Sequence, residues 1–317
     1  MAISALSQLF RATAPEKKPG DKTISYSQFA MWSTCPWKWK LTYIDKHKMG
    51  GPSIHTTFGT SFHETLQYYL YTMFNKSVKE ADKINLAELL QEQLMNNYLV
   101  AVHEQNGGEH FSTATELQEF YQDGVAILEW LQKHRSSYFT NQGFELVSIE
   151  MPLYTQASDK NEHVIMNGFL DIVLREVATD KIIIIDIKTS TKGWNAYAKA
   201  DKTKASQLVL YKSYLAKQYG YNEDKIDIKY FIVKRKLLEG FMYPQKRVQE
   251  FVPASGKPTR NKLLKEIDAF IEAGFNPDGS YREDGIFPAV GDKGLKNCRY
   301  CEFNDKPELC PKDKRIK

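Results

Sequence analysis

The sequence lacks several features that would place it in a broad class at once. No apolar run approaches the roughly 20 residues that a bilayer-spanning helix requires. The opening residues, MAISALSQLFRATAPEKK, have neither a leading basic stretch nor a long apolar segment, so no secretion signal is indicated. Internal repeats and low-complexity tracts are also missing. We therefore expect a cytoplasmic protein with no membrane partner.

The sequence also lacks a large excess of either positive or negative charge. The 317 residues include 43 Lys and Arg against 39 Asp and Glu, which gives a net charge of only +4. This excess permits a nucleic-acid partner without demonstrating one. Hydrophobic residues form 42% of the chain and aromatic residues 13%, which excludes a disordered chain. The length accommodates one large α/β domain or about two average domains.

Cysteine is rare, and its four positions are unevenly spread. Cys35 stands alone near the N-terminus, whereas the other three form the pattern Cys298-x2-Cys301-x8-Cys310. In a reducing compartment a C-x-x-C pair favours a metal site over a disulfide. Four thiolates suit tetrahedral zinc or an iron–sulfur cluster, although a zinc ribbon usually shows two such pairs, and free buried cysteines are the plain alternative. A shared metal centre would hold the N-terminal segment against the C-terminal tail.

The hydrophobic pattern divides the chain into helical and strand-like parts. Residues 1–22 are polar and aperiodic, which predicts a loosely attached tail. A capping box at Ser25-x-x-Gln28 starts a first helix, a second covers about 60–74, and a helical insertion spans about 76–140. Further strands and helices follow in this order: strands 144–154, 164–177 and 182–188, a helix over 197–220, strands 226–234, 240–243 and 247–252, and a helix over about 259–273. This succession predicts an α/β domain around a mixed sheet.

Three charged residues interrupt strands that are otherwise apolar. Asp171 lies in the second predicted strand, and Asp186 and Lys188 end the isoleucine run of the third. Side chains alternate along a strand, so Asp186 and Lys188 share a face, and a neighbouring strand can bring Asp171 beside them. Two carboxylates suit Mg²⁺ or Mn²⁺, and a lysine can orient or deprotonate a water and stabilise charge that develops on a phosphate. A strand-end ion pair is the structural alternative.

Other motifs surround these three residues in a fixed order. His63 precedes the strands, and Gln207 and Tyr211 follow them at positions i and i+4, on one face of the next helix. The ordered set Gly59-x-x-x-His63, Gly168-x-x-Asp171, Asp186-x-Lys188 and Gln207-x-x-x-Tyr211 resembles the RecB-like branch of the PD-(D/E)XK nuclease superfamily. One cysteine before these motifs and three after them resembles the iron–sulfur nucleases of that branch, namely the AddB nuclease domain and the CRISPR-associated RecB-like exonucleases. The resemblance covers nearly all of residues 24–311.

The resemblance implies a restriction-endonuclease-like core, with a mixed sheet flanked by helices and a helical insertion. A single nuclease domain would occupy residues 23–317, closed by a cysteine-rich segment over 291–317. It also implies roles for the site residues. Asp171, Asp186 and His63 would bind Mg²⁺ or Mn²⁺, Lys188 would assist the attacking water, Gln207 and Tyr211 would position DNA or the lysine, and Cys35, Cys298, Cys301 and Cys310 would hold a [4Fe–4S] cluster, with zinc as the alternative.

The expected function is therefore a metal-dependent DNA exonuclease in recombination, repair or replication, acting on single strands or DNA ends. The alternatives are an inactive DNA-binding or assembly protein on the same fold, a CRISPR adaptation nuclease, and a phage-encoded enzyme. The intact Asp171, Asp186 and Lys188 favour an enzyme. Since the helicase pattern G-x-x-x-x-G-K-[ST] is absent, unwinding would need a partner, which is expected to be a helicase or a recombination protein.

Several further residues have two interpretations each. Glu150 is an additional site acid or an exposed strand residue. The run Lys234-Arg235-Lys236 and the basic C-terminal tail contact phosphates or are simply solvated. Aromatic residues near Cys35 stack on bases or, as the safer interpretation, pack in the core; these are Trp32, Trp37 and Trp39.

Overall fold

The computed structural model describes residues 5–13, 15–47, 50–291 and 293–316. Its α-helices are α1 (Ala5–Gln8), α2 (Tyr26–Thr34), α3 (Pro36–Trp39), α4 (Ile54–Asn75), α5 (Val78–Ala81), α6 (Leu86–Gln105), α7 (Ala114–Lys133), α8 (Ala196–Ala200), α9 (Lys202–Tyr219) and α10 (Lys257–Gly274). Its strands are β1 (Lys22–Ile24), β2 (Phe144–Ser158), β3 (Asn161–Glu176), β4 (Lys181–Ser190), β5 (Ile226–Lys234), β6 (Val248–Phe251), β7 (Ala289–Val290) and β8 (Arg315–Ile316). Within the described residues, no helix is both long and apolar enough to cross a bilayer.

The helices begin and end at residues suited to those positions. The Ser25 side chain accepts a hydrogen bond from the Gln28 amide, as the capping box predicts for α2. Ser53 and Thr56 form a reciprocal capping box, so α4 begins six residues before the predicted start at residue 60. Gly220 ends α9 in the left-handed conformation at φ +72°.

A six-stranded mixed sheet forms the centre, and β3 is its hub. β2 pairs antiparallel with β3 along nearly the whole of that strand. β1 pairs in parallel with residues 164–166 of β3, and β4 pairs antiparallel with residues 172–176. β2 occupies one edge of β3, so β1 and β4 share the other edge. On that second edge, residues 167–171 of β3 pair with none of the described strands. β5 follows β4 in parallel, and β6 closes the sheet antiparallel to β5.

Helices cover both faces of the sheet, as the predicted fold class requires. One core packs α2, α9 and α10 against the sheet, and the other packs α4 to α7 against the opposite face. The isoleucine run of β4 is divided between them: Ile182 and Ile184 lie in the first core, and Ile185 and Ile187 in the second. A strand buried on both faces reads as a continuous apolar run, which explains this segment of the sequence. The predicted α/β architecture is confirmed.

The N-terminal stretch contains structure that its sequence does not indicate. Phe10 is buried, and its ring lies 6.4 and 6.2 Å from the rings of Tyr68 and Tyr71 on α4. Arg11 forms an isolated parallel bridge with Ile149. Periodicity cannot detect one anchoring aromatic in so short a segment, which is why the pattern predicts a loose tail over 1–22. Residues 1–4 and 14 of that tail lie outside the described residues, and the single-domain organisation over 23–317 stays a prediction.

The strand predicted over 240–243 is wrong. These residues form the tip of the connection between β5 and β6, where Gly240 has φ +69°. The apolar residues in this segment misled the prediction, because they do not face the core but solvent. The predicted core placement of the tryptophans near Cys35 is better supported, since Trp39 is fully buried against Phe270 and Phe275.

Candidate active site

The site lies where β4 separates from β3. The last paired residues are Ile172 and Ile185, and one further step in this register places Asp171 opposite Asp186. Beyond that point β4 continues in register with β5 alone. The Ile187 amide, which no longer has a β3 partner, donates a 2.7 Å hydrogen bond to Asp171 Oδ2. A carboxylate therefore takes the place of a strand neighbour at the split.

Asp186 and Lys188 point to the same face of β4, as strand alternation predicts. Lys188 Nζ lies 2.7 Å from Asp186 Oδ2, and the Asp186 side chain is only 5% exposed. Burial by itself lowers the pKa of Lys188, but the carboxylates of Asp186 and Asp171 outweigh it, and the net shift is upward. The ammonium group therefore stays charged beside the two acids.

Burial and the neighbouring Asp186 raise the pKa of Asp171 to about 7. Two carboxylates held this close in a buried position repel each other, and a divalent cation between them would relieve that repulsion. Asp186 Oδ2 is buried, and apart from the Lys188 contact it makes no hydrogen bond of regular geometry in the described structure. The donor chemistry of the two acids thus fits Mg²⁺ or Mn²⁺.

The protein ligands alone do not form a complete cage. Among residues 5–13, 15–47, 50–291 and 293–316, no three His, Cys, Asp or Glu side chains converge as a group able to hold a metal ion. Mg²⁺ is commonly bound by one or two carboxylates, with waters and substrate phosphates as its other ligands. Two acids at the strand split match that pattern.

His63 approaches Asp171 from α4. Its Nδ1 atom lies 3.6 Å from Asp171 Oδ2, and 23% of its side chain is exposed. Burial, together with the positive charge of Lys188, lowers the pKa of His63 to about 4. The imidazole is therefore neutral near pH 7, which is the form that can bind a metal. One turn before it, Gly59 packs so closely on β4 that a Cβ there would lie 3.2 Å from Thr189 Oγ1.

Gln207 and Tyr211 enter from α9 on the face that carries Asp186. Gln207 Nε2 donates a 3.3 Å hydrogen bond to the Tyr211 hydroxyl. That hydroxyl lies against Gly168, where a Cβ would be only 2.8 Å from its oxygen. Gly168 belongs to the unpaired stretch of β3, so the missing strand and the missing side chain together make room for Tyr211. Burial raises the pKa of Tyr211 to about 12, so it remains a neutral hydroxyl.

Glu150, Gln67 and Arg11 complete the surroundings of Asp171, and of these the sequence indicates only Glu150. Glu150 sits opposite Asp171 on β2 with φ +51°, an uncommon conformation for a residue other than glycine. Gln67 Nε2 donates to Glu150 Oε1 at 2.8 Å and to the Asp171 carbonyl at 3.2 Å, and Arg11 lies 3.9 Å from Glu150. Glu150 is not an exposed strand residue: burial, and then the charge of Asp171, raise its pKa. Gln67 follows His63 by four residues on α4, a spacing that could have revealed it.

An open cavity of about 440 Å³ adjoins Lys188. It lies between the first turns of α4 and the end of β4, and hydroxyl groups form much of its wall. Residues that line it include His63, Lys188, Thr189, Ser190, Thr191 and Arg235. The cavity therefore reaches Lys188 and His63 next to the two acids.

The four cysteines are half-buried free thiols in two segments that touch. Asn297 Nδ2 donates to the Thr34 carbonyl at 3.0 Å, next to Cys35, and Trp37 Nε1 donates to the Leu309 carbonyl at 2.9 Å, next to Cys310. Burial raises the pKa of the Cys310 thiol, and the nearby Cys35 and Cys301 thiols act in the same direction. Four thiols in these two segments are chemically suited to a soft metal centre, although no three of them are already assembled into one within the described residues.

Comparison with known proteins agrees with this geometry. No curated protein sequence matches the chain. The family model described as PD-(D/E)XK nuclease superfamily matches residues 23–310, a range that contains the strand split, α4 and α9. With its six-stranded mixed sheet between two helical layers, the chain belongs to the PD-(D/E)XK nuclease superfamily.

Proposed function

We propose that this protein is a metal-dependent DNA exonuclease of the RecB-like branch, acting on single strands or DNA ends in recombination, repair or replication. Membership of the superfamily indicates metal-dependent cleavage of nucleic acid, usually with Mg²⁺ or Mn²⁺. One observation carries the proposal further: Asp171, Asp186 and Lys188 meet at the strand split, and Lys188 lines an open cavity there. A module that only bound DNA would gain nothing from two buried carboxylates near phosphates.

In this proposal each side chain has a separate task. Asp171, Asp186 and His63 would hold the metal ion, which would supply Lewis acidity and lower the pKa of a bound water. Lys188, in contact with Asp186, would assist the attacking water and stabilise negative charge on the scissile phosphate. Tyr211, held by Gln207, is a neutral hydrogen-bond donor that positions Lys188 or the DNA strand.

The decisive experiment measures cleavage of labelled single- and double-stranded DNA with Mg²⁺, Mn²⁺ or EDTA. Asp186→Ala and Lys188→Ala should lose at least roughly 100-fold in rate. Lys181→Ala and Asp227→Ala are matched controls, because they break an exposed ion pair at the opposite end of β4 and should leave the rate unchanged. Metal-independent cleavage, or full activity in both site variants, would contradict the assignment. Binding without any cleavage by the wild type would favour the inactive DNA-binding protein.

We further propose that Cys35, Cys298, Cys301 and Cys310 bind a [4Fe–4S] cluster. The support is the thiol donor set and the two hydrogen bonds that bring Cys35 to the C-terminal segment. An anaerobically purified chain should be brown, with about four iron atoms and four sulfides per chain. A colourless preparation with one zinc per chain would instead establish the zinc alternative.

A further inference from the structure

The connection between β5 and β6 carries apolar side chains into solvent. Leu238 and Phe241 are more than half exposed, Met242 is 90% exposed and Tyr243 is 73% exposed. We call these four residues the apolar tip. The proposed catalytic roles use none of them. Soluble chains seldom expose several large apolar side chains side by side without a binding role.

The base of this connection is well ordered by hydrogen bonds. The Leu238 amide donates to Gln245 Oε1 at 3.0 Å, and Gln245 Nε2 donates back to the Leu238 carbonyl at 2.7 Å. The Lys234 amide donates to the Arg247 carbonyl at 2.7 Å. These hydrogen bonds close the loop and hold the apolar tip in solvent, away from the core.

The same connection is rich in positive charge. Residues 234–247 contain five basic residues and one acid, Glu239. Arg235 and Lys236 are paired with carboxylates on α7. In the described structure no carboxylate lies within ion-pair distance of the other three, which are Lys234, Lys246 and Arg247. Burial and the Arg247 charge lower the pKa of Lys234, so an anion beside these two residues would relieve their repulsion.

The connection is also continuous with the candidate active site. The Arg235 amide donates to the Ser190 carbonyl at 2.8 Å, and the Lys236 amide donates to the Thr191 carbonyl at 2.7 Å. Ser190, Thr191 and Arg235 line the cavity beside Lys188. A nucleic-acid strand that leaves the site along this wall would first meet the positively charged residues where the connection begins and ends, and then the apolar tip.

We propose that the apolar tip is a stacking platform for unpaired bases of the nucleic-acid strand that occupies the site. Phe241 and Tyr243 supply the aromatic faces, and the three unpaired cations contact the phosphates of the same strand. Stacking is tolerant of sequence because every base has a π-face. This platform serves the proposed nuclease function, since the strand it holds is the one that the site would cut.

The test measures binding of a fluorescein-labelled 20-nucleotide oligothymidylate by anisotropy, without added divalent metal. Phe241→Ala/Tyr243→Ala should weaken binding by roughly 10- to 100-fold. Phe241→Leu/Tyr243→Leu should weaken it to a similar extent, because leucine keeps the apolar surface but lacks a ring face. Tyr300→Ala is the matched control, as Tyr300 is 89% exposed but belongs to the cysteine-rich segment. All variants should keep the wild-type Tm, since the altered side chains are exposed.

Three results would overturn the platform. The first is unchanged DNA affinity in the alanine variant, and the second is full affinity in the leucine variant, which would indicate a general apolar contact. The third is wild-type self-association, measured by sedimentation, that the alanine variant abolishes without a change in DNA affinity; a second copy of the chain would then be the occupant. Cleavage with Mn²⁺ is assayed separately. If the wild type binds DNA through the tip but never cleaves it, only the nuclease proposal is rejected. If the alanine variant cleaves DNA normally and binds it with unchanged affinity, only the platform is rejected.

Discussion

At the scale of single residues, Asp171 meets two opposing conditions. Its carboxylate accepts the Ile187 amide and so replaces a lost strand contact. It also lies buried beside Asp186, which disfavours its charge and raises its pKa. A group placed in this way weakens the folded state in the absence of a cation and gains from one when it binds. Such a conflict between stability and charge is common at functional sites.

We expect Asp171→Asn to stabilise the metal-free protein while it abolishes cleavage. Asparagine keeps an oxygen that can accept the Ile187 amide but removes one of the two repelling charges, so the free energy of unfolding should rise by about 1 kcal/mol. Urea unfolding in EDTA measures this change. Addition of Mn²⁺ should raise the Tm of the wild type and leave that of Asp171→Asn almost unchanged. A clear loss of stability in the variant would contradict this account of the site.

Gly168 leads to a second prediction at this scale. In Gly168→Ala the new methyl group would lie 2.8 Å from the Tyr211 hydroxyl, so the tyrosine ring must move, at a cost of about 1–3 kcal/mol in the free energy of unfolding. Tyr211→Phe removes the obstructing oxygen. The double variant should therefore regain much of the lost stability, as a double-mutant cycle by urea unfolding would show. Additive effects of the two changes would contradict the close contact.

At the scale of elements, the contact between α7 and the end of β5 holds the wall of the cavity. Arg235 NH1 lies 2.7 Å from Asp123 and 3.0 Å from Glu119. The guanidinium carbon Cζ of Arg235 lies 3.9 Å from the centre of the Phe120 ring. The two acids differ in burial: the Asp123 side chain is 16% exposed and that of Glu119 is 49% exposed. Removal of one partner from an ion pair that is shielded from water leaves the other charge buried and uncompensated, which costs more than breaking an exposed pair.

Asp123→Asn should therefore lower the free energy of unfolding by roughly 1–3 kcal/mol, whereas Glu119→Gln should change it far less. Chemical denaturation of the two variants makes the comparison, and each serves as the control for the other. The variant at Asp123 should also bind single-stranded DNA more tightly, because Arg235 and Lys236 lose their main competitor for phosphates. Equal losses of stability in both variants would mean that burial does not decide the strength of these pairs.

The elements also show how far the sequence alone could reach. The long strands and helices were predicted because their apolar residues repeat over many positions, and Asp171, Asp186 and Lys188 stood out because they interrupt apolar strands. Arg11 and Gln67 carry no such local sign, since their contacts with Glu150 connect residues that are 139 and 83 positions apart. The apolar tip shows the opposite error: its residues resemble a strand locally, but no neighbouring strand is there to pair with them. The roles of the site residues stay predictions until they are tested.

At the scale of the whole molecule, the two ends of the chain meet at the cysteines. We expect Cys35→Ser to lower the Tm and to make the C-terminal segment more sensitive to limited proteolysis, because a metal centre shared by the two ends would be lost. Asn297→Ala is the control, since it removes a hydrogen bond between the same two segments but leaves all four thiols in place. If the two variants lose equal stability and retain equal metal, the ends are held together without a shared centre.

The split between β3 and β4 gives the protein an internal reporter. The Ile187 amide is a single backbone proton whose partner is a site carboxylate and not another strand, so its chemical shift and its exchange rate depend on what Asp171 binds. The amides of residues 182–185 lie where β4 pairs with both β3 and β5, before the strand reaches the acids. One resonance therefore follows the state of the acids directly, before any substrate is cut.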